Sequence, residues 1–354
     1  MASLRHAYAS LLSCRFELRN SGLMKCGSKI LLAVLLLFVD NPHVLSQTPP
    51  VRVHAAYAAI AGDHAALYVA HEAGLFRKHG LDARFVYIAA APAIIPALLG
   101  GDIDFAVASG NGVVNAGLGG ADLVWVAGMV NTAAYYLAVQ PEIKSINDLR
   151  GRPLGVTRIG AATDFVLRFL LRKAGLDAER EVQILQMGGQ PELAVAMENR
   201  RIFGTVTTPP ALVRMQKGGA HVLLTPKDIA LRFPHVGIVV RKKFLTENRE
   251  VVTNFIRGYS AAIPMIFHDK ENSKRLLTRF IRSKEPEVLE ATWQYAVDSL
   301  EQIPYPDPEG FKVILEALSR TRGETVAAKP EQFIEDSVVR ELEREGFFKK
   351  LYGR

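Results

Sequence analysis

The run at residues 67–87, LYVAHEAGLFRKHGLDARFVY, followed closely by ALLGGDIDFAVAS at 97–109, constrains this chain more than any other stretch. Leu67, Ala70, Ala73 and Phe76 recur at helical spacing, and Gly80 stands where a left-handed C-terminal cap is wanted. Ala83, Phe85 and Tyr87 then alternate with polar or smaller neighbours, as a strand does. Helix, turn, strand, helix, strand is the opening of a doubly wound α/β lobe.

The pattern continues along the chain. Residues 51–57 read as a first strand, 92–99 as a helix, 104–108 as a strand, and 110–119 as a helix after Ser109. Two more strands are expected at 124–129 and 135–140. A polar segment at 141–153 breaks the rhythm, and a second set begins: strand 154–157, helix 163–174 closed by Gly175, strand 182–186, helix 191–199, strand 203–207. Alternation of this kind argues for parallel sheets, and its repetition for two similar lobes. Val252, Phe255, Tyr259, Ala262 and Ile266 then keep a three-four apolar spacing, a helix packed on a core by one face. The expected architecture is α/β, two doubly wound lobes joined by a two-crossover hinge. Lobe one comprises 50–138 plus 241–354 and lobe two 139–240, with crossovers near 138–147 and 234–241.

At 354 residues and 49% hydrophobic content, the chain is long enough for two domains with large cores. The net charge of +7 overstates the folded part, because five cations against two acids in residues 1–46 supply +3 of it. No Lys/Arg block with interleaved aromatics occurs, so nucleic acid is not an expected partner. The apolar run 30–39, ILLAVLLLFV, follows Lys25 and Lys29 and has the length of a signal h-region, too short for a membrane span. Residues 1–46 are therefore read as a signal peptide, with Met24 as an alternative start; an uncleaved anchor or an organellar transit peptide are the other readings. Both cysteines, Cys14 and Cys26, lie in that segment, which leaves the remainder without a thiol for disulfide, metal or nucleophile.

The stretches AHEAGLFRKHGL, LLGGDIDFAVAS, SINDLRGRPLGV, FLLRKAGLDAEREVQIL and EQFIEDSVVRELEREGFFKKLYGR, in this order, resemble one family. It is that of the periplasmic substrate-binding proteins of ABC importers, in the branch carrying sulfonates, nitrate and thiamine-precursor pyrimidines. The resemblance implies a type II periplasmic binding protein fold and a periplasmic location. It also implies an ABC permease as partner, a monomeric state, no cofactor and no catalysis. The chain departs from the family at residues 200–205, RRIFGT, where a Gly-x-x-Asp-Ala turn is usual. Some relatives are pyrimidine-forming enzymes that depend on a cysteine-rich stretch, which this chain lacks.

Ligands of open α/β sheets bind beyond the carboxyl ends of the strands, where helix N-termini offer free N–H groups and favour anions. That selects five turns: Asp63 with His64, the turn at Ala91, Ser109-Gly110-Asn111, Arg158 and Gly160 through Thr163, and Gly189 with Thr208 beside it. The resemblance points to the same five. Arg158 is the sharpest candidate, since a guanidinium can grip a sulfonate, carboxylate or phosphate by paired bonds; the alternative is a solvated loop arginine. Asp63 would contact ligand or merely cap its helix. Residues 110–115, GNGVVN, imitate a dinucleotide fingerprint but lack the third glycine and a following acid. The spacings of His54, His64, His71 and His79 fit no metal motif. The expected function is an exported solute-binding protein for a small anionic or heterocyclic molecule. The alternatives are an exported hydrolase or lyase using Asp63, His64, Asp164 or Thr208, and a ligand sensor for a membrane receptor.

Overall fold

The structure, a computed structural model, describes residues 49–353 except Glu324; the expected export segment with Cys14 and Cys26 lies outside the described residues. Its ten strands form two five-stranded sheets. The first, in the order β2-β1-β3-β10-β4, uses β1 (Val51–Tyr57), β2 (Leu81–Tyr87), β3 (Phe105–Ala108), β4 (Leu123–Thr132) and β10 (Arg232–Arg241). The second, β7-β6-β8-β5-β9, uses β5 (Tyr136–Val139), β6 (Pro153–Val156), β7 (Gln183–Gln186), β8 (Gly204–Thr207) and β9 (His221–Leu224).

Both sheets are mixed, where alternation alone suggested parallel ones. β1 runs parallel to β2 and β3, and β6 parallel to β7 and β8. β10 is antiparallel to β3 and β4, and β5 to β8 and β9. These two strands are the ones that enter a sheet from its neighbour, so they start at the shared end and run against the βα units. The chain changes sheet at residues 133–135 and 225–231, ahead of the expected crossovers at 138–147 and 234–241. The second crossover was expected to begin at Pro234, yet Pro234 lies within β10, in a stretch where the ladder slips between Arg232 and Val236 and no N–H is needed.

Helices fill the connections. In Ala162–Lys173 the buried residues Val166, Leu167, Leu170 and Leu171 recur on one face. Arg249–Ser260 does the same with Val252, Phe255, Ile256 and Tyr259. Burying each such side chain stabilises by about 1.5–3 kcal/mol, which outweighs modest helix propensity. Gly80 and Gly175, at φ 76° and 78°, end helices in the left-handed region as expected. One apolar cluster joins Phe105, Phe255 and Tyr259 beneath the first sheet. A second runs from Ile94, Leu98 and Trp125 to Leu154, Val166 and Leu170, so the two lobes share a continuous core.

Candidate functional site

Five helices start at the boundary between the lobes. Ala65–Glu72, Ala91–Gly100 and Gly110–Leu118 belong to the first, Ala162–Lys173 and Gln190–Glu198 to the second. None of the five has a side-chain cap bond at its N-terminus. An uncapped helix end keeps N–H donors without intrahelical partners, together with the positive end of its dipole. Residues at or just before these ends, among them Asp63, His64, Ala91, Ser109, Thr163 and Gln190, line a cavity of about 40 Å³, although the Ala65 N–H is already bonded to Gly62 O in the turn that precedes its helix. Tyr135 and His235 complete the wall, from the crossover and from β10. Ala90, also on this wall, holds φ 67° and ψ 147° without being glycine. Backbone strain of this kind persists where surrounding structure enforces it, often at a ligand site.

The buried floor is an acid between two imidazoles. Asp63 Oδ1 meets His64 Nδ1 at 2.5 Å and its Oδ2 meets His235 Nε2 at 3.2 Å. Both carboxylate oxygens are thereby engaged, and Asp63 caps no helix. Burial pushes the Asp63 pKa up, but His64 and His235 outweigh it and hold the carboxyl below the usual value. Burial drives His235 the other way, from 6.5 down to about 4, against the pull of Asp63. The His235 ring packs on Tyr135 with centroids 4.3 Å apart. Opposite them, the Thr157 and Thr163 hydroxyls lie 2.8 Å apart, and Thr163 Oγ1 also accepts from the Thr157 N–H.

Asp63, His64, Ala91, Ser109 and Thr163, all candidates from the sequence, line the cavity together. Asn111 Nδ2 donates to Gly160 O at 2.6 Å, a bond from one lobe to the other. Arg158 reaches across as well: its Nε donates to Ala89 O at 3.0 Å. Gly62 N–H to Pro209 O, 2.9 Å, is a third such bond. Gly110 packs against Pro234 and Phe311, and Gly189 against the Tyr87 hydroxyl. Thr208 is buried, its hydroxyl without a partner. Asp164 accepts from Gly160 N–H and from Arg168, bracing the loop. Sequence reasoning missed His235 and Thr157, while Gln190 lies in the turn at 188–191 that it selected. The only signal for His235 was an imidazole inside the apolar run RFPHVGIVV.

Two α/β lobes closed over a polar cavity ringed by helix ends are the construction of a ligand-binding protein with the periplasmic binding protein fold. The chain belongs to the NMT1/THI5-like family, whose model matches residues 61–273. It is 27% identical over 266 residues to a protein of Brucella abortus (strain 2308) named as a binding protein, covering 73% of this chain and 80% of that one. It superposes on the alkanesulfonate-binding protein SsuA from Xanthomonas axonopodis pv. citri with a TM-score of 0.69 at 18% identity, covering 82% of this chain and 99% of that one. The periplasmic nitrate-binding protein NrtA from Synechocystis PCC 6803 gives 0.68 at 14% identity, over 84% and 89%. The names of these relatives denote binding, not a reaction. Among the described residues, no helix is long and apolar enough to cross a membrane, and no group of three or more metal-ligating side chains occurs.

Proposed function

We propose that this chain is an exported solute-binding protein that captures a small anion between its lobes and presents it to an ABC permease in the inner membrane. The lobes of this reading are 50–132 with 232–354 and 136–224, bounded by the sheet changes, since the expected bounds of 138/139 and 240/241 would assign β10 and most of β5 to the wrong sheet. The signal peptide, the permease and a monomeric working state belong to this reading. One observation carries it: four helix N-termini, none capped by a side chain, converge on one cavity whose floor is the Asp63-His64 turn. Free N–H groups and positive dipole ends favour an acceptor-rich anion such as a sulfonate, carboxylate or nitrate. No Arg or Lys lines the cavity, so backbone N–H groups and hydroxyls would hold the ligand, with Asp63 already occupied by its histidines.

The test is thermal unfolding of residues 47–354 with nitrate, methanesulfonate, acetate and, for contrast, a neutral pyrimidine. An anion at a hundred times its dissociation constant should add about 2.7 kcal/mol of stability. A response to the pyrimidine alone would overturn the anion reading.

Asn111 and Arg158 serve this function from outside the cavity. Each makes one bond across the lobes that an open form would lose. A bond of this kind is worth about 1 kcal/mol net. Asn111→Ala and Arg158→Ala should therefore each weaken ligand affinity roughly five- to tenfold through faster dissociation, with association unchanged. The loss should be the same for every ligand bound. A loss for Arg158→Ala that grows with ligand charge would instead place the guanidinium on the ligand.

A further inference from the structure

A second pocket, of about 510 Å³, shares no lining residue with the ligand cavity. The first crossover separates the two, and alternate residues serve them: Tyr135 walls the cavity, whereas Ala134 and Tyr136 line the pocket. Lys227 lines it from the second crossover, and Tyr295 and Asp298 from the end of the helix Pro286–Ser299. The pocket therefore touches both strands of the hinge and a helix of the first lobe. Two opposite charges face it unpaired. Lys227 and Asp298 form no ion pair with each other, and among the described residues neither has one elsewhere. Asp298 only accepts from Gln294, at 2.9 Å. The rings of Tyr136 and Tyr295, with centroids 6.3 Å apart, give the same space aromatic faces. Tyr295 also links the pocket to the cavity floor. Its hydroxyl donates to Ala134 O on the crossover at 2.6 Å. Its ring lies so close to Gly62, next to Asp63, that a Cβ there would stand 2.7 Å from Cδ1.

We propose that this pocket is an effector site for a small aromatic zwitterion of the amino-acid class, whose carboxylate meets Lys227 and whose ammonium meets Asp298. Such a molecule supplies each charge with the partner it lacks and sets its ring against the tyrosines. The volume is that of a small-molecule site. Bound there, it bridges the second crossover to the first lobe and so acts on the hinge. The pocket has its present walls in a closed form, where Asn111 and Arg158 bond across the lobes. An occupant that fits this form favours closure and tightens the hold on a ligand in the cavity. By reciprocity, the cavity ligand tightens the hold on the effector by the same factor.

The experiment is isothermal titration with L-phenylalanine, its amide and 3-phenylpropanoate, which carry both charges, the ammonium alone and the carboxylate alone. Phenylalanine should bind, and each singly charged analogue should bind roughly fivefold more weakly. Lys227→Met should abolish the preference over the amide, and Asp298→Asn the preference over 3-phenylpropanoate. Both side chains are exposed, and an unchanged unfolding midpoint shows that the variants are folded. In saturating nitrate or methanesulfonate, phenylalanine should bind more tightly. A dissociation constant above about 10 mM, or preferences that survive both substitutions, overturns the site. Affinity that falls or stays the same once an anion is bound overturns the effector role. If neither anion binds, the anion reading fails, while the charge preferences and their loss in the two variants still support this site.

Discussion

Lowering the pH from 6.5 to 4 is expected to remove about 3 kcal/mol of folding stability through His235 alone, at 1.36 kcal/mol per unit of pKa shift. Burial holds this imidazole down at about 4, although the Asp63 carboxylate at 3.2 Å opposes the shift. The unfolded chain takes up the proton near 6.5 and the folded chain only near 4. Between those values the unfolded form binds more protons, so stability falls as the pH falls. Below about 4 both forms are protonated and His235 contributes no further slope. Asp63 adds a loss of the same sign at more acid pH, because its folded pKa is lowered and its stabilisation vanishes as the pH drops through that value. Urea titrations at pH 7, 6, 5 and 4 measure the slope directly. His235→Gln should flatten the segment between 6.5 and 4; an unchanged slope would show that the acid sensitivity arises elsewhere.

Gly237→Ala is expected to cost about 3 kcal/mol or to prevent folding, as an overpacked core position does. A methyl group there would overlap the indole ring of Trp125 and the carbonyl oxygen of Ala127 on β4. Trp125 is fully buried and packed edge-on to Phe311, with ring centroids 5.6 Å apart, so it has nowhere to retreat. The pairing of β10 with β4 already slips between Val236 and Gly237, two residues from His235. Relief of the overlap would therefore shift the cavity floor. Chemical denaturation of the variant decides the matter: a midpoint equal to wild type would show that β10 can move without cost, and the packing argument would fail.

The βα rhythm was legible because each element obeys its own short-range rule. The alternation in 83–87 and the closing glycines at 80 and 175 correspond to elements that form, while the three-four spacing in 67–76 and 252–266 marks helical faces that the structure breaks into two helices each, at Ala73-Gly74 and at Ala261. Strand direction was not legible, since β5 and β10 read like any other apolar run and only the crossing between sheets makes them antiparallel. β9 escaped notice because His221–Leu224 is half-buried throughout and shows no alternation. At the site, rules about helix ends found the turns, because geometry places them at the carboxyl edge whatever their side chains. His235 was hidden for the opposite reason: it lies mid-strand, where an isolated polar residue reads as core, and only three-dimensional pairing with Asp63 reveals it. Arg158 was conspicuous in sequence, yet its Nε meets a backbone carbonyl of the other lobe, a partner no local pattern records.

A ligand that satisfied these uncapped helix ends would make filled and empty molecules differ in how long they survive proteolysis. Binding to the folded form alone depletes every opened form by the same factor, and proteases act on opened forms. At a hundredfold excess over the dissociation constant that factor is about 100. In a compartment rich in proteases, the amount of this protein would then follow the supply of its ligand without any change in synthesis. A pulse-chase measurement of its half-life, with and without ligand in the medium, reads that coupling as a ratio of lifetimes.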